Sequence, residues 1–284
     1  LQKGGHRRDD RGGGKTNKGD TNMLTKQISD ILYPLLIVLG LFFALALIEF
    51  FFKKNKLKKG TATDYELVIT LSSAFGIVSA VLFQNLYEFI ENPKEYQFTW
   101  GMTFFGGLVG GVFFFFCSYF LYLRKRRAGS LPYLLTVAGG AIPLAHSFGR
   151  VGCFLAGCCY GKEVNPESFW YWMGIKFVTT DSKVIPTNLI EAVFLFVLAL
   201  VLILLAFKKR TTLTFPIYAI CYGIFRFLIE FVRGDDRGNF VSGISPSQFW
   251  SIVLFVFGVF YLLYLVVKRK TKLPTPLEEV SPHK

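Results

Sequence analysis

Arg226, Glu230 and Arg233 stand in a stretch that is otherwise apolar, Tyr222-Gly-Ile-Phe-Arg226-Phe-Leu-Ile-Glu230-Phe-Val-Arg233. Their spacing is i, i+4 and i+7, and at about 100° per residue a helix carries all three on one face. A charged side chain inside a bilayer is costly, so it usually faces a polar cavity and marks a working site. Glu230 can neutralise one arginine, which lowers the cost of holding the pair in a membrane. The other arginine is then open to an anion, and its planar fork suits phosphate through paired, charge-assisted hydrogen bonds. The plainer alternative is a structural ion pair with Arg233 reaching to the interface.

His146 and Arg150 are also i, i+4 in His146-Ser-Phe-Gly149-Arg150. A histidine beside an anion-binding arginine is a candidate base near neutral pH. A histidine bonded to a backbone carbonyl at a broken helix is the plainer reading. Cys153, Cys158 and Cys159 form a C-x4-C-C group, for which three readings stand. A metal site needs four ligands, or three plus water, and the usual paired C-x2-C spacing is absent. A disulfide is compatible with an oxidising face. Small packing residues in a glycine-rich turn are the third reading. Cys117 and Cys221 lie within apolar spans and read as packing residues. No metal set and no cofactor motif is assigned. Gly106-Gly107, with Gly110-Gly111 one turn later, makes a small-residue face suited to close helix packing. Glycine there would also let a lipid head group approach backbone N–H groups.

These residues must be positioned by membrane helices. The chain is 52% hydrophobic and 17% aromatic, with Phe at 32 of 284 positions, and its mean hydropathy is +0.43. That is too apolar for an ordinary soluble domain and gives an all-α polytopic integral membrane protein. Apolar windows of about 20 residues are long enough to cross a bilayer. They fall near 30–52, 65–90, 100–123, 131–150, 187–207, 212–233 and 247–267. The fourth holds Gly139-Gly140, Pro143 and His146 and is expected to bend or break near its end.

The net charge of +13 is not a nucleic-acid signature, because most basic residues outside the N-terminal tail sit in short clusters between spans. Those clusters, Lys53 to Lys59, Arg124 to Arg127, Lys208 to Arg210 and Lys268 to Lys272, follow spans one, three, five and seven. Alternation puts all four on one side, which the positive-inside rule makes cytoplasmic. Seven helices then run N-out and C-in. Residues 1–22 are glycine-rich and charged without an apolar face, so they read as a disordered tail ahead of a start at Met23. The first apolar run reads as a retained span rather than a cleaved signal. The seven-span domain covers 23–270 and a cytoplasmic tail 271–284. The outer side collects Tyr33, Gly101 to Gly107, His146, Arg150, Asn188, Glu191, Arg226, Glu230 and Arg233. It also collects a loop whose Phe169-Trp170-Tyr171-Trp172 reads as an interfacial anchor.

Taken together, these residues resemble the bacterial prolipoprotein diacylglyceryl transferase family. The strongest segment is Gly149-Arg150-Val-Gly-Cys153-Phe-Leu-Ala-Gly-Cys158-Cys159-Tyr160-Gly161, similar to the family signature in its cysteine-containing form. Tyr222-Gly223-x-x-Arg226-Phe-x-x-Glu230-Phe-x-Arg233 resembles a second block and Gly101-Met-Thr-Phe-Phe105-Gly106-Gly107 a third, while Tyr33 and Gly40 fit the first span. The resemblance implies a bacterial inner-membrane enzyme with its active site toward the outer leaflet and no cofactor. Such an enzyme moves the sn-1,2-diacylglyceryl group of phosphatidylglycerol to the lipobox cysteine thiol of a prolipoprotein signal peptide and releases glycerol phosphate. Arg150 and Arg226 would hold the phosphate, and Glu230 would orient Arg226. Tyr33, Gly106, Gly107, Gly149, Tyr160, Tyr222 and Arg233 would line the lipid site.

The chain departs from the family pattern where a base is needed. Phe105 stands at the family's histidine in the third block, and Ile185-Pro186-Thr187-Asn188-Leu189-Ile190-Glu191 replaces a motif that begins with histidine. Cys158 stands where the Asn-Gly-Glu form has its acid. His146 is the expected substitute base, with Tyr160 as a weaker one. A related transferase serving a different acceptor is the alternative. A transporter would show repeated halves and a midplane site, and no internal repeat is found. A thiol oxidoreductase built on the three cysteines is a further outsider.

Overall fold

The computed structural model describes residues 18–91, 93–126, 130–177, 179–209, 211–234 and 244–272. Among them, seven helices are long and apolar enough to span a bilayer. They are built on α1 (Lys18–Lys54), α2 (Lys59–Glu91), α3 (Phe104–Ser118), α4 (Ser130–Leu155), α5 (Thr187–Leu204), α6 (Thr214–Ile229) and α7 (Pro246–Val267), some of them extended by the turn that follows. Helix α1 starts inside the segment read as a tail, whose residues 1–17 lie outside the described ones. Helices α3 and α5 each end in a π-helical turn, Tyr119–Leu123 and Leu205–Lys209.

Helix α4 runs unbroken through Pro143 to Leu155, against the expectation of a break. Neighbouring helices account for this, since packing on several sides holds a proline-bearing transmembrane helix together. Helix α4 packs against α1, α5 and α6, whereas α2 pairs with α3 and α7 with α6. Low hydropathy and burial coincide at α4. The α4 span has a mean hydropathy of only 1.2 and is 50% buried, while the α1 and α7 spans, at 2.8 and 2.5, are each 17% buried. The span least suited to lipid is thus the one the others surround. Close approach of α4 to α6 depends on Gly139, where a Cβ would sit 2.6 Å from the backbone N of Phe215.

An apolar core formed by Phe51, Phe52, Tyr65, Leu123, Tyr133 and Ala206 joins α1 to α5 at one end of the bundle. The same end carries Lys53, Lys54 and Arg124 to Arg126. At the opposite end the chain leaves α4 through Gly157 (φ +61°) and Cys159 (φ +59°). It then crosses an irregular loop tied by bridges Gly161–Arg233, Glu163–Val184 and Ile175–Val184 and enters α5 at Thr187. Phe169–Trp172 of that loop form one 3₁₀ turn, and Phe169, Trp170 and Trp172 are exposed.

Candidate active site

Glu191 sits in the second turn of α5 and is fully buried. Its Oε1 accepts the Tyr222 hydroxyl of α6 at 2.7 Å and lies 3.1 Å from Arg150 Nε of α4. The same Arg150 Nε–H also donates to His146 Nε2 at 3.3 Å. Three helices therefore meet on one carboxylate, which offsets the cost of burying both charges. The His146 ring stands edge-on to Tyr222, with centroids 5.3 Å apart. Because Nε2 accepts from Arg150, the neutral imidazole carries its proton on Nδ1 and has no second lone pair for an incoming proton. His146 Nε2 thus serves here as an acceptor for Arg150.

Arg226 lies one turn beyond Tyr222 and is buried. Its Nη1 donates to Glu230 Oε2 at 2.5 Å, and its Nη2 donates to Ser247 Oγ of α7 at 2.8 Å. Ser245 caps α7 in a capping box with Gln248, and its hydroxyl donates to Glu230 Oε1 at 2.9 Å. The Arg233 Nε is 3.8 Å from Glu230 Oε2, and Arg233 is buried. Arg226 is also near enough to act electrostatically on Glu191 and His146. Three guanidinium groups face two carboxylates, so the assembly keeps an excess of positive charge suited to an anion.

Other expected site residues fall around this cluster or away from it. At Gly149 a Cβ would meet nothing within 4 Å, so the helix face beside Arg150 is open. The Tyr33 ring covers Gly152, whose Cβ would be 3.0 Å from it. Tyr160 stacks on Phe177 in the loop at 5.7 Å. Gly106 and Gly107 lie on α3, which packs against α2, and their Cβ faces are closed by α2. A Cβ on Gly107 would lie 3.2 Å from Ala80 Cβ and from Gly76 O, and Ser79 Oγ donates to Gly106 O at 2.8 Å. The Cβ side of both glycines thus serves helix packing. The Phe105 backbone is helical, and its side chain lies outside the described residues. Ile185 is held in the loop by its backbone, its carbonyl accepting Gly161 N–H at 2.7 Å. A shallow open cleft between Asn165, Tyr171, Asp181 and Lys183 shares no residue with the arginine cluster.

The cysteines converge. Their three sulfur atoms lie within 4.8 Å of one another, and none is disulfide-bonded. The turn that gathers them is clamped by α5, with Asn188 Nδ2 donating to Cys158 O at 2.8 Å and Thr187 Oγ1 to Cys159 O at 3.0 Å. Hydrogen bonding to Cys153 and Cys159, followed by burial, pushes the Cys158 thiol well up from its ordinary value.

Spacing did not reveal the partners of Glu191, Asn188, Ser245 and Ser247. A signal did exist for Glu191, which is the sole charge in the apolar run Thr187–Leu204 and invites the same question as the arginines. The serines precede an apolar run as a capping signal would, but no spacing rule connects them to Glu230.

The prolipoprotein diacylglyceryl transferase family matches residues 24–264. The phosphatidylglycerol–prolipoprotein diacylglyceryl transferase of Clostridium tetani is 31% identical over 230 residues, covering 80% of this chain and 90% of the relative. That of Dehalococcoides mccartyi is 30% identical over 247 residues, covering 84% and 90%. Transferase 2 of Clostridium perfringens is 31% identical over 231 residues, covering 77% and 87%. The matches run through the helices that carry Arg150, Glu191 and Arg226, and the chain belongs to the prolipoprotein diacylglyceryl transferase family.

Proposed function

We propose that the protein transfers the sn-1,2-diacylglyceryl group of phosphatidylglycerol to the lipobox cysteine thiol of prolipoproteins and releases glycerol phosphate. The observation that carries this reading is a pair of buried arginines, Arg150 held by Glu191 and Arg226 held by Glu230, on helices α4 and α6 that pack against each other. A phosphodiester seated between the two guanidinium groups has its charge neutralised, and the charge that grows on the leaving phosphate is stabilised. Glu191 and His146 hold Arg150 through Nε, and in this reading its terminal nitrogens bind the phosphate. Glu230, fixed by Ser245, holds Arg226 through Nη1, and Ser247 holds it through Nη2. Tyr33, Tyr222, Tyr160 and Arg233 line the approach, and the open face at Gly149 admits the glyceryl backbone.

The site faces the outer leaflet of the bacterial cell membrane, since the basic helix ends lie at the opposite end of the bundle. The test is purified protein with phosphatidylglycerol and a lipobox peptide. A thioether-linked diacylglyceryl peptide is expected, and none with the Cys→Ser peptide. Consumption of phosphatidylglycerol without modified peptide would assign the site to another acceptor. Inertness toward the lipid would end the transferase reading.

A further inference from the structure

The reaction needs a thiolate, because the thiol form of cysteine is a poor nucleophile. The one imidazole at the arginine cluster has its acceptor nitrogen engaged by Arg150. One turn away on the same helix lies a group that the phosphate clamp does not use. Cys153 follows Arg150 by three residues of α4, about 4.5 Å along the helix axis. Its sulfur, with those of Cys158 and Cys159, forms a cluster within 4.8 Å.

The surrounding backbone is built to keep these sulfurs together. The chain reverses at Gly157 and again at Cys159, whose φ of +59° places a non-glycine residue in the left-handed region. Such a conformation costs of order 1 kcal/mol and persists only where the surroundings impose it. Here Thr187 and Asn188 impose it by binding the carbonyls of Cys159 and Cys158. This turn achieves what C-x2-C spacing does elsewhere, which is why the motif is not recognisable from spacing. Tetrahedral zinc with Zn–S bonds of about 2.3 Å needs sulfurs about 3.8 Å apart, so the cluster has only to contract slightly. Cys153 is buried while Cys158 and Cys159 are partly exposed, so one side of the cluster can be approached.

We infer that Cys153, Cys158 and Cys159 bind one Zn²⁺ as thiolates, and that its fourth position takes the incoming lipobox thiol and delivers it to the lipid held by Arg150 and Arg226. The inference rests on the transferase reading above and revises the expectation of a metal-free site. Three protein ligands with one open position are the arrangement of a catalytic rather than a structural zinc. A thiol that coordinates such an ion is deprotonated outright, and its proton passes to solvent. The sulfur lone pair then forms the S–C bond at the glyceryl carbon. The bond from that carbon to the phosphate oxygen breaks, and its electron pair leaves on glycerol phosphate. Nothing is oxidised or reduced, and the thioether product, being neutral, is a weaker ligand and departs.

The experiment begins with metal analysis of the full chain purified in detergent from zinc-supplemented cells. About one zinc per chain is expected, in line with a single three-sulfur site. Exchange for Co²⁺ should give thiolate-to-cobalt charge-transfer absorption and the visible bands of a tetrahedral ion. Both should vanish in the triple variant Cys153→Ser, Cys158→Ser, Cys159→Ser. The single variant Cys158→Ser, which disturbs the turn least, should bind cobalt more weakly. Adding the lipobox peptide should shift the visible bands and release a proton, while its Cys→Ser version should do neither. Stripping the metal should slow transfer by roughly 10²-fold or more, the scale of a lost proton acceptor, and zinc should restore it.

Absence of stoichiometric metal, a disulfide in its place, or transfer at full rate after stripping would overturn the inference and leave the transferase reading standing. A cobalt spectrum indifferent to the peptide would overturn the fourth-ligand role. Failure of the transferase reading has a different signature, namely a bound, spectroscopically normal metal with no diacylglyceryl transfer from phosphatidylglycerol.

Discussion

The two arginine–glutamate pairs hold similar charges by different means. Arg226 and Glu230 are four residues apart at the end of α6, and Glu230 is shared with Ser245 and Arg233. That pair forms as its helix forms. Arg150 and Glu191 belong to α4 and α5 and meet only when those helices dock, with Glu191 fully buried. A local, multiply supported pair tolerates the loss of one member better than a cross-helix pair does. Removing one partner of a buried pair costs about 3–5 kcal/mol because the other charge is left uncompensated. That cost falls more heavily on Glu191 than on Glu230.

The comparison breaks first at Arg150. Arg150→Ala should reduce transfer by about 10³-fold or more, beyond the loss of a single oxyanion donor, and should lower the unfolding midpoint in detergent. Replacing Arg150 and Glu191 together by Met should recover much of the midpoint, because no buried charge is orphaned. Transfer should stay lost. If activity returns with stability, Arg150 is a structural partner of Glu191 and the phosphate clamp fails. Arg226→Ala should cost a similar 10²- to 10³-fold in transfer with a smaller fall in midpoint, since Ser245 and Arg233 still serve Glu230. A midpoint fall as large as that of Arg150→Ala would erase the distinction between the pairs.

His146 gives an intermediate effect. Gln at this position keeps an oxygen acceptor for Arg150 Nε, so His146→Gln should transfer within a few-fold of the parent, and His146→Ala should be about tenfold slower. Loss of a general base would instead cost roughly 10²- to 10⁴-fold in both variants. The pair of substitutions, followed as initial rates across pH, separates the two roles.

The spans, and the Arg226–Glu230 pair, could be read from residue spacing because both are local. Hydropathy over about 20 residues is enough for a transmembrane helix, and an i, i+4 pair follows from helix geometry alone. What spacing cannot supply is which helices touch. Glu191 as the partner of Arg150, and Ser247 as a partner of Arg226, depend on the docking of α4 with α5 and of α6 with α7. The same limit explains Gly106 and Gly107, whose sequence fits either a lipid contact or a helix contact until α2 is seen against them. It explains the cysteines too, because C-x4-C-C converges only through two left-handed residues and a clamp from another helix. The bend or break expected near the end of the fourth span is not a break, because three packed neighbours hold α4 continuous through Pro143.

The smallest effects come from two glycines of α4, and they test whether the open face beside Arg150 receives the lipid. At Gly139 a Cβ would lie 2.6 Å from Phe215 N and from Thr214 C, backbone atoms that cannot swing aside. Gly139→Ala should therefore destabilise the protein by about 1–3 kcal/mol, as overpacking does, with transfer per folded molecule little changed. At Gly149 a Cβ would meet nothing. Gly149→Ala should leave transfer nearly unaltered and raise the unfolding midpoint slightly, since alanine favours a helix over glycine by up to about 1 kcal/mol. A longer side chain projects into the space proposed for the glyceryl backbone. Gly149→Leu should accordingly raise KM for phosphatidylglycerol with little change in midpoint. Normal KM in that variant would place the lipid on another face of α4, and Arg150 would then have to reach it from the side that Glu191 already occupies.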